Sequence, residues 1–238
     1  MYTILVLMAV IPAVILLVRV YRADHLEKEP IGLLLSLLLL GIISTSMAAL
    51  TEQIGDAFLS QYFAEDSILY KALMYFAVVA LSEEGFKYLL LKFRTWKNPN
   101  FNCEFDGVVY AVFVSLGFAL WENIGYVLTY GYETAIARAL TAVPGHASFG
   151  VFMGVWYGAA KRYQLAGQPE MEKSRLRGAL LVPMILHGTY DFIASLESGS
   201  MTLVFLAFIA VLFVITSRLV KARSAADHPL VQQQDYYE

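Results

Sequence analysis

A single cysteine, Cys103, occurs in the 238 residues of this chain. No intramolecular disulfide and no cysteine-based metal site can be built from it. Charge is scarce too: 16% of the residues are Asp, Glu, Lys or Arg, against about 25% in a soluble domain. The net charge of −3, with no basic stripe or cluster, argues against nucleic acid as a partner. The sequence contains no Gly-rich phosphate loop, no GxSxG elbow, no HExxH zinc motif and no intramembrane aspartate pair of the YD/GxGD kind. No Ser, His and acid are spaced as a recognisable nucleophilic triad. Internal repeats and low-complexity tracts are also lacking. The first apolar run, Tyr2 to Val18, has neither a basic leading region nor a small-residue cleavage site, and reads as a retained helix rather than a signal peptide.

What the chain has in excess is apolar sequence: 58% of residues, with a mean hydropathy of +0.59. The excess lies in runs of roughly 20 residues, the length a bilayer requires of a helix. The fold class expected is all-α, a polytopic membrane bundle. Seven spans are expected, over 2–20, 31–50, 68–91, 105–128, 138–160, 178–197 and 200–220. Loops 21–30, 92–104 and 161–177 carry Lys and Arg, as does the stretch from Arg218 to Arg223. Loops 51–67 and 129–137 and the turn near Glu197 carry none. This alternation places the N-terminus outside and the C-terminus in the cytoplasm. One transmembrane domain is expected over 1–223, with a catalytic core over 68–197, followed by a disordered cytoplasmic tail over 224–238. Segment 51–67 mixes Ile54, Phe58, Leu59, Tyr62 and Phe63 with acids, and reads as lying along the outer interface.

Polar groups inside the apolar runs cost free energy, and mark function or compensated structure. In the third span Glu83 and Lys87 are i,i+4 and Glu84 and Lys87 are i,i+3, so the lysine can pair with one carboxylate and leave the other available. The two glutamates diverge by about 100° around the helix. The alternative is a purely structural ion cluster, which one glutamate would suffice to make. The fourth span holds Glu122 and Asn123; an amide there is as often a helix–helix hydrogen bond as a functional group. Asp106, at the start of that span, is better explained as a capping residue. His146 in the fifth span is followed at four-residue steps by Gly150, Gly154 and Gly158, a small-residue face that brings helices close, so the imidazole points into the bundle. In the sixth span His187 and Asp191 share a face at i,i+4, where the carboxylate can orient the imidazole or join it on a metal.

At 1.5 Å per residue all of these groups fall in a middle band, about 10–22 Å from the cytoplasmic ends of their helices. One wet cavity can hold them. Carboxylates, histidines and an amide around water are equipment for hydrolysis: a carboxylate takes a proton from water, and His or Asn donors stabilise an oxyanion. No cofactor is needed for that route. The same groups can hold zinc, with Glu83, His146, His187 and Asp191 as the ligands and a bound water as nucleophile. Buried Glu and His also suit a proton- or metal-coupled transporter, although no repeat between halves and no pair of interrupted helices supports one. A non-catalytic membrane scaffold is the third reading, and it has no need of so many costly charges.

Five stretches, in order, resemble the PrsW intramembrane proteases, which belong with the glutamate-dependent CAAX-prenyl-protease and ABI superfamily. They are Glu83 to Lys87 (EExxK), Phe105 to Tyr110 (FDGxxY), Gly117 to Asn123 (GFAxxEN), the segment around His146, and His187 to Phe192 (HGxYDF). Glu29-Pro30 also fits. The resemblance implies a multi-pass protein of the bacterial cell membrane that makes the first cut in a single-span substrate, an anti-sigma factor. It implies that Glu83 is the general base, that Glu84 and Lys87 support it, that His187 polarises water or binds the transition state, and that Asp191 stands where the wider superfamily has Asn or Asp. Glu122 departs from the pattern: CAAX-type relatives have His there, four residues after Phe118. His146 is then the candidate replacement donor.

Overall fold

A computed structural model describes residues 2–196 and 198–230, and every regular element among them is helical. The helices are α1 (Tyr2–Ala23), α2 (Ile31–Leu59), α3 (Ile68–Ala72), α4 (Ala80–Thr95), α5 (Asp106–Tyr130), α6 (Tyr132–Leu140), α7 (Ala142–Leu165), α8 (Pro169–Ala194) and α9 (Gly199–Ala225), and a π-helical stretch, Leu73–Val79, joins α3 to α4. Four of them, α1, α2, α5 and α9, are long and apolar enough to cross a membrane. Of the other three expected spans, that over 68–91 is divided among α3, the π-helical stretch and the 16-residue α4, and those in α7 and α8 carry His146, His187 and Asp191 among their apolar residues.

Boundaries differ from the sequence expectation in three informative places. α2 does not stop at residue 50 but continues to Leu59. Nothing from Thr51 to Leu59 breaks a helix, and Gly55 lets that last stretch lie directly against Val78. The chain expected to lie along the interface therefore starts as a continuation of the bundle. The fifth span is preceded by a separate short helix, α6, which owns Arg138. α8 starts at Pro169, nine residues before the apolar run, because proline suits the first helical position and Glu170 and Glu172 favour the first turn.

α5 is the axis of the bundle. It is buried along most of its length against α1, α2 and α7. The α5–α7 contact is made at backbone distance: a Cβ on Gly154 would stand 2.4 Å from Val108 Cα and 2.5 Å from the Gly107 carbonyl oxygen. Gly158 meets the Glu104 carbonyl in the same way, and Gly150 meets the side chain of Ser115. The glycine face that follows His146 is thus the α7 side of this contact, and it is what brings His146 up to α5.

One end of the bundle is tied by acids. The hydroxyl of Tyr110 donates to Glu29 Oε2 at 2.6 Å. Asp106 Oδ2 accepts from the backbone N–H of Asn102 (3.0 Å) and Cys103 (2.7 Å), so Asp106 is structural as expected, but it ties the turn before α5 and does not cap the helix. The stretch expected to be a free tail from Ser224 is docked as far as Leu230. α9 runs through Ala225, Asp227 Oδ1 accepts from Phe105 N–H (2.9 Å), and Leu230 N–H donates to the Asn102 carbonyl (2.7 Å). The remainder of that expected tail, 231–238, lies outside the described residues.

Burial pushes the Glu29 carboxyl up to about 7, with the Tyr110 hydrogen bond opposing, and pushes Asp24 up to about 6, with Lys28 opposing. Both are raised above their unfolded values, so the folded chain binds more protons than the unfolded one between about pH 4 and 7. Stability from this junction is complete below that window and falls as pH rises through it. Thermal unfolding in detergent is expected to show a midpoint that drops from pH 5 to pH 7.5. Glu29→Gln should flatten that slope by no more than about 3 kcal/mol equivalent. An unchanged slope in the variant would remove Glu29 from the account.

Candidate active site

Four helices supply the site. α4 presents three ionisable groups in little more than one turn. Lys87 reaches back along its own helix, and its Nζ lies 3.2 Å from Glu83 Oε2 and 2.8 Å from Glu84 Oε1. From α7, His146 Nδ1 approaches the same ammonium at 3.2 Å. From α5, the Phe118 ring lies beneath it with its centroid 3.8 Å from Nζ. From α8, His187 Nδ1 is 2.9 Å from Glu84 Oε1 and 3.9 Å from Glu83 Oε2. Glu83, Glu84, Lys87, His146 and His187 are all at most 5% exposed. Carboxylates, an ammonium and imidazoles this deeply buried are tolerable only because each finds a partner of opposite charge or a hydrogen bond.

The hydrogen-bond pattern fixes proton positions. The Lys87 ammonium can only donate, so His146 Nδ1 accepts, and the ring carries its proton on Nε2. That Nε2–H points at Glu122 Oε2, 2.9 Å away. His187 faces carboxylate oxygens from both nitrogens: Glu84 through Nδ1, and Asp191 Oδ2 through Nε2 at 3.2 Å. A doubly protonated imidazolium satisfies both. Phe149 stacks on the His187 ring at 4.7 Å and holds its plane. The i,i+4 pairing expected of His187 and Asp191 is present.

The structure brings together Glu83, Glu84, Lys87, His146 and His187, with Glu122 and Asp191 one contact further out. Asn123 stands apart. Its side chain donates to the Ala9 carbonyl (3.1 Å) and accepts from Arg138 Nε (2.9 Å), so it tethers α1 and α6 rather than facing the carboxylates. The four donors that converge for an ion are Glu83, Glu84, His146 and His187, whose ligand atoms lie within 4.8 Å of one another. Glu84 takes the place expected of Asp191, because Asp191 sits behind His187, on its other nitrogen. The donors match zinc in kind. The ammonium of Lys87 stands among them.

Two site residues were not found from sequence. Arg138 on α6 donates to Glu122 Oε2 at 2.7 Å and packs over the Tyr126 ring at 3.9 Å. Glu52, on the unforeseen extension of α2, lies near enough for its charge to interact with those of Glu122, His187, Lys87 and Asp191. The signal for Arg138 was a base in an otherwise base-free outer segment. For Glu52 it was an unbroken helical run through residue 59.

Arg138→Ala leaves Glu122 with His146 alone. Since the pair is only partly buried, a loss of about 1–3 kcal/mol in unfolding free energy is expected. Arg138→Lys should recover little of it, because one ammonium cannot serve both Glu122 and Asn123 in the plane that the guanidinium does. Equal stability of Arg138→Lys and the unaltered protein would contradict this.

Residues 29–217 match the model of the PrsW family intramembrane metalloprotease. A protein named Protease PrsW from Oceanobacillus iheyensis is 35% identical over 220 residues, covering 92% of this chain and 95% of the relative. The protein of that name from Halalkalibacterium halodurans is 32% identical over 92% of this chain and 96% of its own length. The one from Bacillus subtilis is 31% identical over 79% and 81% respectively. No solved structure matches.

Proposed function

The chain belongs to the PrsW family of intramembrane proteases, and from that premise we propose that it makes the first cut in a membrane-anchored anti-sigma factor, with water activated by Glu83. The observation that carries the choice of base is the asymmetry of the two glutamates. Glu84 is fully buried, and its Oε1 is held by both Lys87 and His187. Glu83 gives one oxygen to Lys87 and keeps the other, Oε1, without a bonded protein group among the described residues. It is also slightly more exposed, at 5%. Glu84 also keeps one oxygen, Oε2, without a partner among those residues, but that atom is sealed from solvent, so Glu83 Oε1 is the one open to a water.

Glu83 removes the proton as water attacks the scissile carbonyl, and returns it to the leaving nitrogen. Lys87 and Glu84 hold Glu83 in place. His187, stacked on Phe149 with its two N–H groups held by Glu84 and Asp191, places a positive charge beside Glu83 that favours the oxyanion through its field. His146 is turned away by its bond to Glu122, so it positions Lys87 rather than binding the intermediate. The substrate is a single-span membrane protein. The setting is the bacterial cell membrane, crossed seven times with the C-terminus in the cytoplasm, and residues 68–197 are the catalytic core of one domain over 1–223.

Co-expression with single-span anti-sigma proteins tagged at both ends tests this reading. A shortened, membrane-retained fragment is expected when the protein is present. Full-length substrates throughout, with the protein inserted and folded, would overturn it.

A further inference from the structure

The family is described as metalloproteases, and the buried donors Glu83, Glu84, His146 and His187 are a set that zinc would accept. What stands among them is a side chain of this chain. Lys87 Nζ is within 3.2 Å of Glu83 Oε2, 2.8 Å of Glu84 Oε1 and 3.2 Å of His146 Nδ1. An ammonium has three N–H donors, and these three acceptors use all of them. The group is fully buried and backed by the Phe118 ring, so no water competes for its bonds. It is delivered by the same helix as the two carboxylates and does not depend on supply from solution. An ion about 2.0–2.2 Å from the same three acceptors would lie against the ammonium, and two cations exclude one another there.

We propose that the Lys87 ammonium is the resident cation of this site, standing where a zinc ion would, and that the donor set takes zinc only when that charge is removed. The proposal deepens the reading of Glu83 as base and rests on it. Lys87 acts as a positioning residue: it keeps both carboxylates and the His146 acceptor turned inward, the ordering that a metal imposes elsewhere.

The test is zinc content of the purified full-length protein after equilibration with zinc and removal of excess, read by elemental analysis and by titration calorimetry. The unaltered protein is expected to hold far less than one zinc per chain. Lys87→Ala is expected to hold about one, and Lys87→Arg, which keeps the charge, none. Lys87→Ala combined with His187→Ala should lose what the single change gained. Lys87→Gln, close in length, serves if the alanine variant does not fold, and the unaltered protein needs no variant at all. One tightly held zinc in the unaltered protein, or none in a folded Lys87→Ala or Lys87→Gln protein, overturns the proposal. Cleavage that appears only with zinc overturns this inference and leaves the protease reading standing. A zinc-free protein that cuts nothing overturns the protease reading and leaves the cation assignment standing.

Discussion

Glu83→Gln is expected to lower substrate cleavage by about 10²–10⁴-fold, the range that a positioned general base contributes. The substitution keeps the shape and the hydrogen-bonding reach toward Lys87, but an amide cannot accept water's proton. It also removes one of the carboxylates around a single ammonium and an imidazolium, so the protein should fold at least as well as before. Glu84→Gln is the informative companion. Glu84 receives bonds from both Lys87 and His187, so its loss should reduce activity and stability together. A variant pair in which Glu84→Gln is inactive and stable while Glu83→Gln retains full activity would exchange the two roles.

Gly154→Leu is expected to abolish assembly of the bundle, and Gly154→Ala to destabilise it by several kcal/mol, beyond the usual range of about 1–3 kcal/mol for overpacking. The reason is that the obstructing atoms are backbone. Val108 Cα and the Gly107 carbonyl would stand 2.4 and 2.5 Å from the new Cβ, and neither can rotate aside as a side chain can. α5 and α7 must then separate, and with them Glu122 and His146. Gly125 on α5 is the control: a Cβ there meets nothing within 4 Å. Gly125→Ala should therefore be neutral or stabilise by roughly 0.5–1 kcal/mol through helix propensity. Unfolding in detergent, followed by helicity, measures both. Similar behaviour of the two alanine variants would remove the close contact from the account.

Much of this site was legible because the costly groups are few and their spacing is local. Lys87 lies one helical turn from Glu83 and Glu84, and Asp191 one turn from His187, so helical geometry alone pairs them. The glycines after His146 named the face on which it packs. What was not legible is long-range or depends on where helices end. The contact of Lys87 with His146 joins residues 59 positions apart, and no local pattern encodes it. Arg138 was read as the edge of a span, since α6 has only nine residues and runs almost directly into α7. Glu52 was assigned to a loop because apolarity fades after residue 50, although helical propensity does not. The π-helical turn over 73–79 is made of ordinary apolar residues, and only tertiary packing selects it.

The central claim is that this chain alone hydrolyses a peptide bond in a membrane-anchored substrate at Glu83. Purified protein reconstituted in liposomes with a single-span anti-sigma protein, and the new termini located by mass spectrometry, tests it most directly. The account predicts one cut at or within the span by the unaltered protein, and none by Glu83→Gln of equal fold and insertion. An intact substrate beside folded, inserted protein, or equal cutting by both, would contradict it.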